Sequence, residues 1–315
     1  MAPTDMLAKQ DAVAPAAMND IAVDQDRPEM IDLLRARDRV YRQAKWLQGI
    51  YVAFTIVIAI GGTLAPLDQK PVFGLLGIVA MLVDVSFLDQ HLKKLCKLGA
   101  RLGEEFDTRV LRLPPNPFVA DKPVPPEDIR AYSAKALEAE REGQFRAWYE
   151  GCVREVPLAV GRLICQRLNG AYDSALRKNF SGWLVFLSVV PIVGVLLAGT
   201  AMKLSVEDVV VILAALTPAL SWALREARKH LDIAAQQERL RSEFDRIWAR
   251  ALAGARDLEL ERGSRQLQDA IYHYRASTTL IFDWFYQRRR PANEDMAAHV
   301  ARRLVDDYLR AQQTQ

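Results

Sequence analysis

The sequence predicts an all-α polytopic membrane protein with two transmembrane helical hairpins, hence four spans, and a helical cytoplasmic domain formed by its middle and C-terminal segments. The chain has 315 residues and 81 charged side chains, but only one of those charges lies in the 79 residues of four apolar stretches. Short loops join these stretches in pairs, and basic residues gather on one side of them. This pattern argues against a soluble cytosolic enzyme. The four stretches are residues 46–67, 71–88, 180–202 and 209–224.

Length decides which of these stretches can cross a bilayer unaided. An α-helix rises about 1.5 Å per residue and the hydrocarbon layer is about 30 Å thick, so the 22 residues of 46–67 and the 23 of 180–202 suffice. The stretches 71–88 and 209–224 need polar end residues to complete a span. Because each shorter stretch follows or precedes a full span after about five or six residues, each pair predicts an antiparallel hairpin. The alternative for the shorter stretches is a buried helix of a soluble protein.

The placement of Lys and Arg predicts the orientation of the spans. The two short loops contain two basic residues, Lys70 and Lys203, whereas the other flanks contain eighteen. The positive-inside rule therefore predicts that both termini and the middle segment lie in the cytoplasm. The eighteen residues are Arg35, Arg37, Arg39, Arg42, Lys45, Lys93, Lys94, Lys97, Arg101, Arg162, Arg167, Arg177, Lys178, Arg225, Arg228, Lys229, Arg239 and Arg241.

The segments outside the spans are predicted to be mostly helical. Apolar residues recur at helical spacing between Met30 and Leu47, which predicts an amphipathic helix that anchors at the interface or, alternatively, binds a partner. Six prolines in 113–126 exclude the interior of a helix there. Gly263 is expected to interrupt the regular helix after the fourth span. The predicted segments are a disordered leader (1–28), the amphipathic helix (29–45), the first hairpin (46–90), a cytoplasmic helical segment (91–179), the second hairpin (180–224) and a C-terminal cytoplasmic helical segment (225–315).

The sequence lacks the local motifs of catalysis and metal binding. The four histidines have no metal-ligand spacing, and there is no glycine-rich phosphate loop and no nucleophile elbow. The three cysteines form no paired motif and are expected to be reduced thiols. We therefore expect a protein without catalytic residues, metal or cofactor, although residues distant in sequence can still meet in a fold.

Three residues within the spans are candidates for a pore or gate: Asp84, Pro191 and Pro218. Asp84 is the one acid in the apolar stretches and lies thirteen residues beyond Pro71, about 20 Å along a helix. It is interpreted either as a pore-lining or gating carboxylate of an oligomer or as an acid near the interface that reaches headgroup water or pairs with a neighbouring Lys. The two prolines are expected to interrupt the third and fourth spans, as hinges or as static kinks.

The C-terminal segment combines Arg, Gln, Asp and aromatic side chains in two clusters, 265–275 and 283–290. Such a mixture can stack a nucleobase and clamp a phosphate. The alternative is structural, with the apolar residues in a core, the arginines paired with Asp269 and Asp283, and the last three arginines at lipid headgroups.

Two stretches of the sequence, and the order of the spans and cytoplasmic segments, resemble those of a known family. One is LLRARDRVYRQAK at 33–45, which leads into the first span; the other is LQDAI at 267–271, followed by Arg275, DWFY at 283–286 and Arg288. In these features the chain resembles the SMODS-associated four-transmembrane pore-forming effectors, over roughly residues 30–310.

The resemblance implies a role in cyclic-oligonucleotide-based antiphage signalling (CBASS). In such a system a nucleotidyltransferase makes a cyclic di- or trinucleotide on infection, and the effector permeabilises the inner membrane, which leads to abortive infection. We expect membrane lipid and this nucleotide as partners, and no DNA or RNA polymer. A homo-oligomer is expected because one four-helix protomer offers no evident aqueous path.

The candidate contacts for the cyclic nucleotide come from the two C-terminal clusters. Two other classes of function stay open: a membrane-anchored enzyme that acts on nucleotide or lipid, and a membrane scaffold that forms no pore. The candidate contacts are Arg265, Gln266, Asp269, Tyr272, Arg275, Trp284, Tyr286 and Arg288.

Overall fold

The computed structural model describes residues 19–66, 68–135, 139–171, 173–288 and 290–314. This part of the chain is helical and contains no β-strand, which confirms the predicted all-α fold class. A π-helical turn (Asp84–Leu88) joins the third and fourth helices, and a 3-10 turn (Gly151–Glu155) precedes the eighth. The helices are α1 (Ile21–Asp24), α2 (Pro28–Leu64), α3 (Lys70–Val83), α4 (Asp89–Val110), α5 (Pro117–Ala120), α6 (Pro126–Ser133), α7 (Ala139–Gly143), α8 (Leu158–Ala171), α9 (Asp173–Ala201), α10 (Val206–Leu252), α11 (Asp257–Ala276), α12 (Asp283–Gln287) and α13 (Arg290–Thr314).

Four helical stretches are long and apolar enough to cross a membrane, as the sequence predicts. The first span is the second half of α2, the second comprises α3 with the π-helical turn, the third lies in α9, and the fourth is the first half of α10. These spans expose many large apolar side chains, as contact with lipid requires. The chain is thus a multi-pass membrane protein. We call the span ends joined by the two short loops distal and the opposite ends proximal.

Helix α10 is the centre of the transmembrane layer, because α2, α3 and α9 all pack against it. Small residues permit this close approach. A Cβ atom at Gly62 of α2 would lie 2.3 Å from the Cβ of Ala215 on α10, and one at Gly77 of α3 would lie 3.2 Å from the Cγ of Pro218. The first and second spans therefore approach the backbone of the fourth.

The residues beyond the proximal ends form a helical domain. It comprises α1, α4 to α8, α11, α13 and the domain-side halves of α2 and α10. Its core lies where α4, α8 and α11 meet and includes the buried side chains of Phe106, Ile164 and Ile271. α10 has 47 residues and, at about 1.5 Å per residue, extends roughly 70 Å through both layers.

Part of the predicted disordered leader, residues 19–28, packs against the helical domain. Residues 1–18 lie outside the described residues, but Asn19 donates a hydrogen bond to the carbonyl of Val153 over 2.6 Å. Ile21 is fully buried, and Asp24 lies 2.9 Å from the guanidinium of Arg112. The prediction of disorder is therefore wrong for residues 19–28, because a few long-range contacts order a segment whose composition resembles a disordered one.

The helices continue through three residues that were expected to interrupt them. α9 contains Pro191 and α10 contains Pro218, because a proline removes only one helical hydrogen bond and a span can compensate for it. Gly263 lies inside α11. The break between α10 and α11 instead contains Gly254, whose φ of 77° is accessible to glycine at low cost. A gating role of the two prolines stays a prediction.

Candidate ligand site and its junction with the spans

Helix α11 carries five of the eight predicted ligand residues. Arg265, Asp269 and Tyr272 follow each other at spacings of four and three, which places them on one face of the helix, and α11 packs against α4. Arg275 extends this face by almost one turn. Gln266 lies on another face and is exposed.

Arg265 and Asp269 fasten α11 to α4 and to the proline-rich loop. The Arg265 guanidinium lies 2.7 Å from the Glu104 carboxylate and 2.7 Å from the Asp269 carboxylate, and it donates to the carbonyl of Pro114 over 2.9 Å. The Asn116 amide donates to Asp269 over 3.0 Å. Burial raises the pKa of Glu104, and the hydrogen bonds to this carboxyl offset the rise only in part. A ligand of Arg265 or Asp269 would have to exchange with these protein partners.

Arg275 belongs to a buried polar network around Asp107 of α4. Its guanidinium lies 2.6 Å from the Asp107 carboxylate, which also accepts hydrogen bonds from Gln268 over 2.9 Å and from the Tyr149 hydroxyl over 2.6 Å. Burial by itself opposes the charge of Arg275, but the Asp107 carboxylate raises the pKa of this guanidinium. Burial and the same carboxylate raise the pKa of Tyr149. The arginine therefore stays charged and the phenol stays protonated, so this network joins α4 to α11.

The other three predicted ligand residues lie on or directly after α12, at the proximal ends of the spans. The ring of Trp284 is 5.4 Å from that of Trp183 on α9, between centroids. The ammonium of Lys45 on α2 lies 5.9 Å from the ring centroid of Tyr286. Arg288 is exposed at the end of α12. The eight residues thus fall into two groups that are held against different elements.

Residues 277–288, which we call the junction segment, connect α11 to the spans through aromatic contacts. Phe282 packs against Trp222 of α10 with 6.2 Å between ring centroids. Phe285 packs against Phe180 of α9 with 4.9 Å between centroids. Aromatic pairs at these separations are stabilising, so the segment is fixed between the third and fourth spans.

Polar groups anchor the same segment to three spans. The Thr279 hydroxyl donates to the Glu226 carboxylate of α10, and the Thr279 carbonyl accepts a hydrogen bond from Arg177 of α9 over 3.0 Å. Gln48 of α2 donates to the carbonyl of Leu280 over 3.4 Å. A displacement of α11 would therefore act directly on α2, α9 and α10.

Ion pairs extend this connection to the second span. Asp84 is buried in the π-helical turn and pairs with Arg225 of α10. Asp89 lies 2.8 Å from the ammonium of Lys229, which also lies 2.8 Å from Glu226, the acceptor of the junction segment. π-helical turns are frequent at functional sites. Asp84 thus has a basic partner, as one of the two interpretations expects, but this partner is an arginine rather than a lysine; a pore-lining or gating role stays a prediction.

Comparison with known proteins identifies the family. Residues 19–304 match the family model described as SMODS-associating 4TM effector domain. The chain belongs to this family. A probable CBASS effector molecule of Bacillus cereus (strain VD146) is 23% identical over 291 residues, which cover 89% of this 4TM effector and 97% of the relative. No solved structure matches.

The spans of this 4TM effector line a cavity of about 690 Å³ between α2, α9 and α10. Thr55 and Ser188 lie in its wall, but their hydroxyls donate to carbonyls of their own helices over 2.8 Å. The cavity therefore presents an apolar wall to any molecule inside it. Pro191 and Trp284 also line the cavity, so one predicted gate residue and one predicted ligand residue lie at the same intramembrane space.

The residues that connect the helical domain of the 4TM effector with its spans belong to no sequence motif. Gln48, Glu226 and Thr279 are common polar residues that lie far apart in the chain. Arg177 was identified only as one of the eighteen basic flanking residues. Their shared role depends on tertiary contacts, which spacing along one chain does not encode.

Proposed function

We propose that this chain is the membrane effector of a CBASS antiphage system, that a cyclic di- or trinucleotide made by a nucleotidyltransferase activates it, and that it then permeabilises the inner membrane, giving abortive infection. Membership of the 4TM effector family and the similarity to a probable CBASS effector support the antiphage role. In this proposal the effector acts without catalysis and as a homo-oligomer, with both termini in the cytoplasm where the nucleotide is made.

The direct continuation of α11 into the junction segment is the observation that carries this proposal. The helix bears five candidate ligand residues, and the segment contacts three spans. A ligand shifts such an equilibrium only by its differential affinity, and a shift from 1:99 to 99:1 needs about a 10⁴-fold preference. Several phosphate–arginine and base–aromatic contacts that form in only one of the two states can together supply this preference.

Dye release from liposomes tests the proposal. The purified full chain is reconstituted into liposomes that contain a self-quenching dye, and a panel of cyclic di- and trinucleotides is added. We expect release with one or a few of these nucleotides, and silence across the panel would refute activation. Conversion of the nucleotide or lipid without leakage would support a membrane-anchored enzyme, and binding without leakage or turnover would support a scaffold.

A threonine variant tests the coupling through the junction segment. Thr279→Val removes the donor to Glu226 at nearly constant volume, so nucleotide binding should persist while dye release falls. Thr200→Val is the matched control, because the Thr200 hydroxyl is exposed and donates to its own helix at the distal end. Equal release from the Thr279→Val variant and the wild type would contradict this route of coupling.

A further inference from the structure

The proline-rich segment 113–126, which contains the short helix α5, is held across one face of α4 by two basic residues, and we call this segment the strap. Lys97 and Arg101 are four residues apart and therefore lie on the same face. The Lys97 ammonium lies 2.8 Å from the Asp121 carboxylate of the strap. Arg101 donates to the carbonyls of Lys122 over 2.6 Å and of Pro123 over 3.4 Å.

Tyr272 of α11 lies near these cations with an unused hydrogen-bond donor. Its side chain is 2% exposed, and its hydroxyl has no hydrogen-bond partner among the residues that the structure describes. The Nε of Arg101 is also buried and without a partner within the same residues. Helix α11 packs against both α4 and α5 of the strap, and Tyr272 follows by three residues Asp269, which accepts a hydrogen bond from Asn116 of the strap. Buried polar groups are rarely left unpaired, so these two donors are available to an acceptor that enters here.

We propose that Tyr272, Lys97 and Arg101 form a phosphate subsite for the cyclic oligonucleotide, and that Asp121 is the internal anion that the phosphate replaces. The proposal rests on the proposed function and names the site of its ligand. All three groups donate hydrogen bonds and two carry positive charge, which complements a phosphodiester. Asp121 has a φ of 62° and a ψ of −165°, a conformation that favours glycine, so the strap holds this residue in a strained backbone conformation.

The protonation state of Tyr272 fits this role. A phenol of ordinary pKa 10.0 already keeps its proton at neutral pH, and burial raises the pKa of Tyr272 further, so its hydroxyl can donate to a phosphate oxygen. A deprotonated phenol would instead repel the ligand.

Replacement of Asp121 would change how α4 and α11 are joined. The strap contacts α4 through Lys97 and Arg101, and it contacts α11 through the hydrogen bond from Asn116 to Asp269. A phosphate at the subsite would therefore free one end of the strap while touching α11 directly. Since α11 continues into the junction segment, the subsite lies at the start of the path to the spans.

Two variants with opposite expected effects test the subsite. Tyr272→Phe removes one hydroxyl and should weaken binding of the activating nucleotide about tenfold, as expected for a hydrogen bond to a charged group. Asp121→Asn removes the competing carboxylate and should tighten binding several-fold. Tyr308→Phe on α13 is the matched control and should change nothing. Binding is titrated with the full chain in nanodiscs against the panel of cyclic di- and trinucleotides, and thermal unfolding verifies that each variant is folded.

A second probe separates the failure of the subsite from the failure of the proposed function. If the wild type binds a nucleotide and both variants bind it equally well, the subsite is wrong and the function stands. A different result is that the wild type binds no nucleotide of the panel, while inorganic phosphate raises the unfolding midpoint of the wild type but not that of Tyr272→Phe. In that case the proposed function is wrong and the phosphate subsite stands. If neither probe distinguishes Tyr272→Phe from the wild type, the subsite is overturned.

Discussion

Replacement of Arg275 by methionine is expected to destabilise the helical domain, beyond any effect on a ligand. The guanidinium is buried against Asp107, and removal of one partner of a buried ion pair costs about 3–5 kcal/mol. Asp107 keeps the donors Gln268 and Tyr149, so we expect the lower end of this range, about 3 kcal/mol. One kcal/mol shifts the unfolding midpoint of a domain of 150–250 residues by about 2–4 °C, which gives a fall of about 6–12 °C.

Thermal unfolding of the purified protein in detergent measures this effect. The double variant Asp107→Asn, Arg275→Met removes both charges and should regain at least half of the loss, because no uncompensated charge stays buried. Gln266→Ala on the exposed face of α11 is the control and should leave the midpoint unchanged. If Arg275→Met keeps the wild-type midpoint but abolishes the response to nucleotide, the structural assignment is refuted and Arg275 is a ligand contact.

Three further predictions concern the close helix contact, the pH dependence and the ion pair of the second span. Gly62→Leu should destabilise the fold by at least about 1–3 kcal/mol, because its side chain would collide with Ala215, whereas Gly49→Leu enters open space and should be tolerated in the same unfolding assay. Burial raises the pKa of Glu104 above its ordinary 4.5, so this carboxyl contributes stability that is present below pH 4.5 and is lost as pH rises through the raised value. Glu104→Gln should therefore flatten the pH dependence of the midpoint just above pH 4.5, and a slope equal to that of the wild type would count against this cause. Asp84→Asn should raise dye release in the absence of nucleotide, because it weakens the tie between the second and fourth spans; unchanged basal release would contradict this.

The spans and the fold class could be predicted from the sequence because they depend on the local composition of each stretch and not on distant contacts. A stretch such as 180–202 with no charge has few alternatives to a membrane helix. The expected interruption at Gly263 was wrong, because local propensity is a weak determinant once neighbouring helices hold the backbone in place. Composition also misjudged residues 19–28, whose order depends on a few contacts with distant parts of the domain.

The candidate site could be predicted only as a set of residue types. The mixture of Arg, Asp and aromatic side chains draws attention to α11, but the sequence does not tell whether an arginine there is free or paired. Arg265 and Arg275 pair with the carboxylates of Glu104 and Asp107 on α4, more than 160 positions away in the sequence. The Thr279 and Glu226 pair, 53 positions apart, has no signal at all in the sequence.

The long separation between Asp107 and Arg275 also determines the order of assembly during synthesis. The two residues are 168 positions apart, and the third and fourth spans are made between them. At a synthesis rate of about 5–20 residues per second, roughly 8–34 s pass between the addition of Asp107 and the addition of Arg275. During that time both hairpins can enter the bilayer, while α11 with its candidate ligand residues has not yet been synthesised. The spans of a nascent chain are therefore made before the candidate ligand residues of α11, and a ribosome that stalls before residue 257 would leave a protein that has all four spans but lacks these residues.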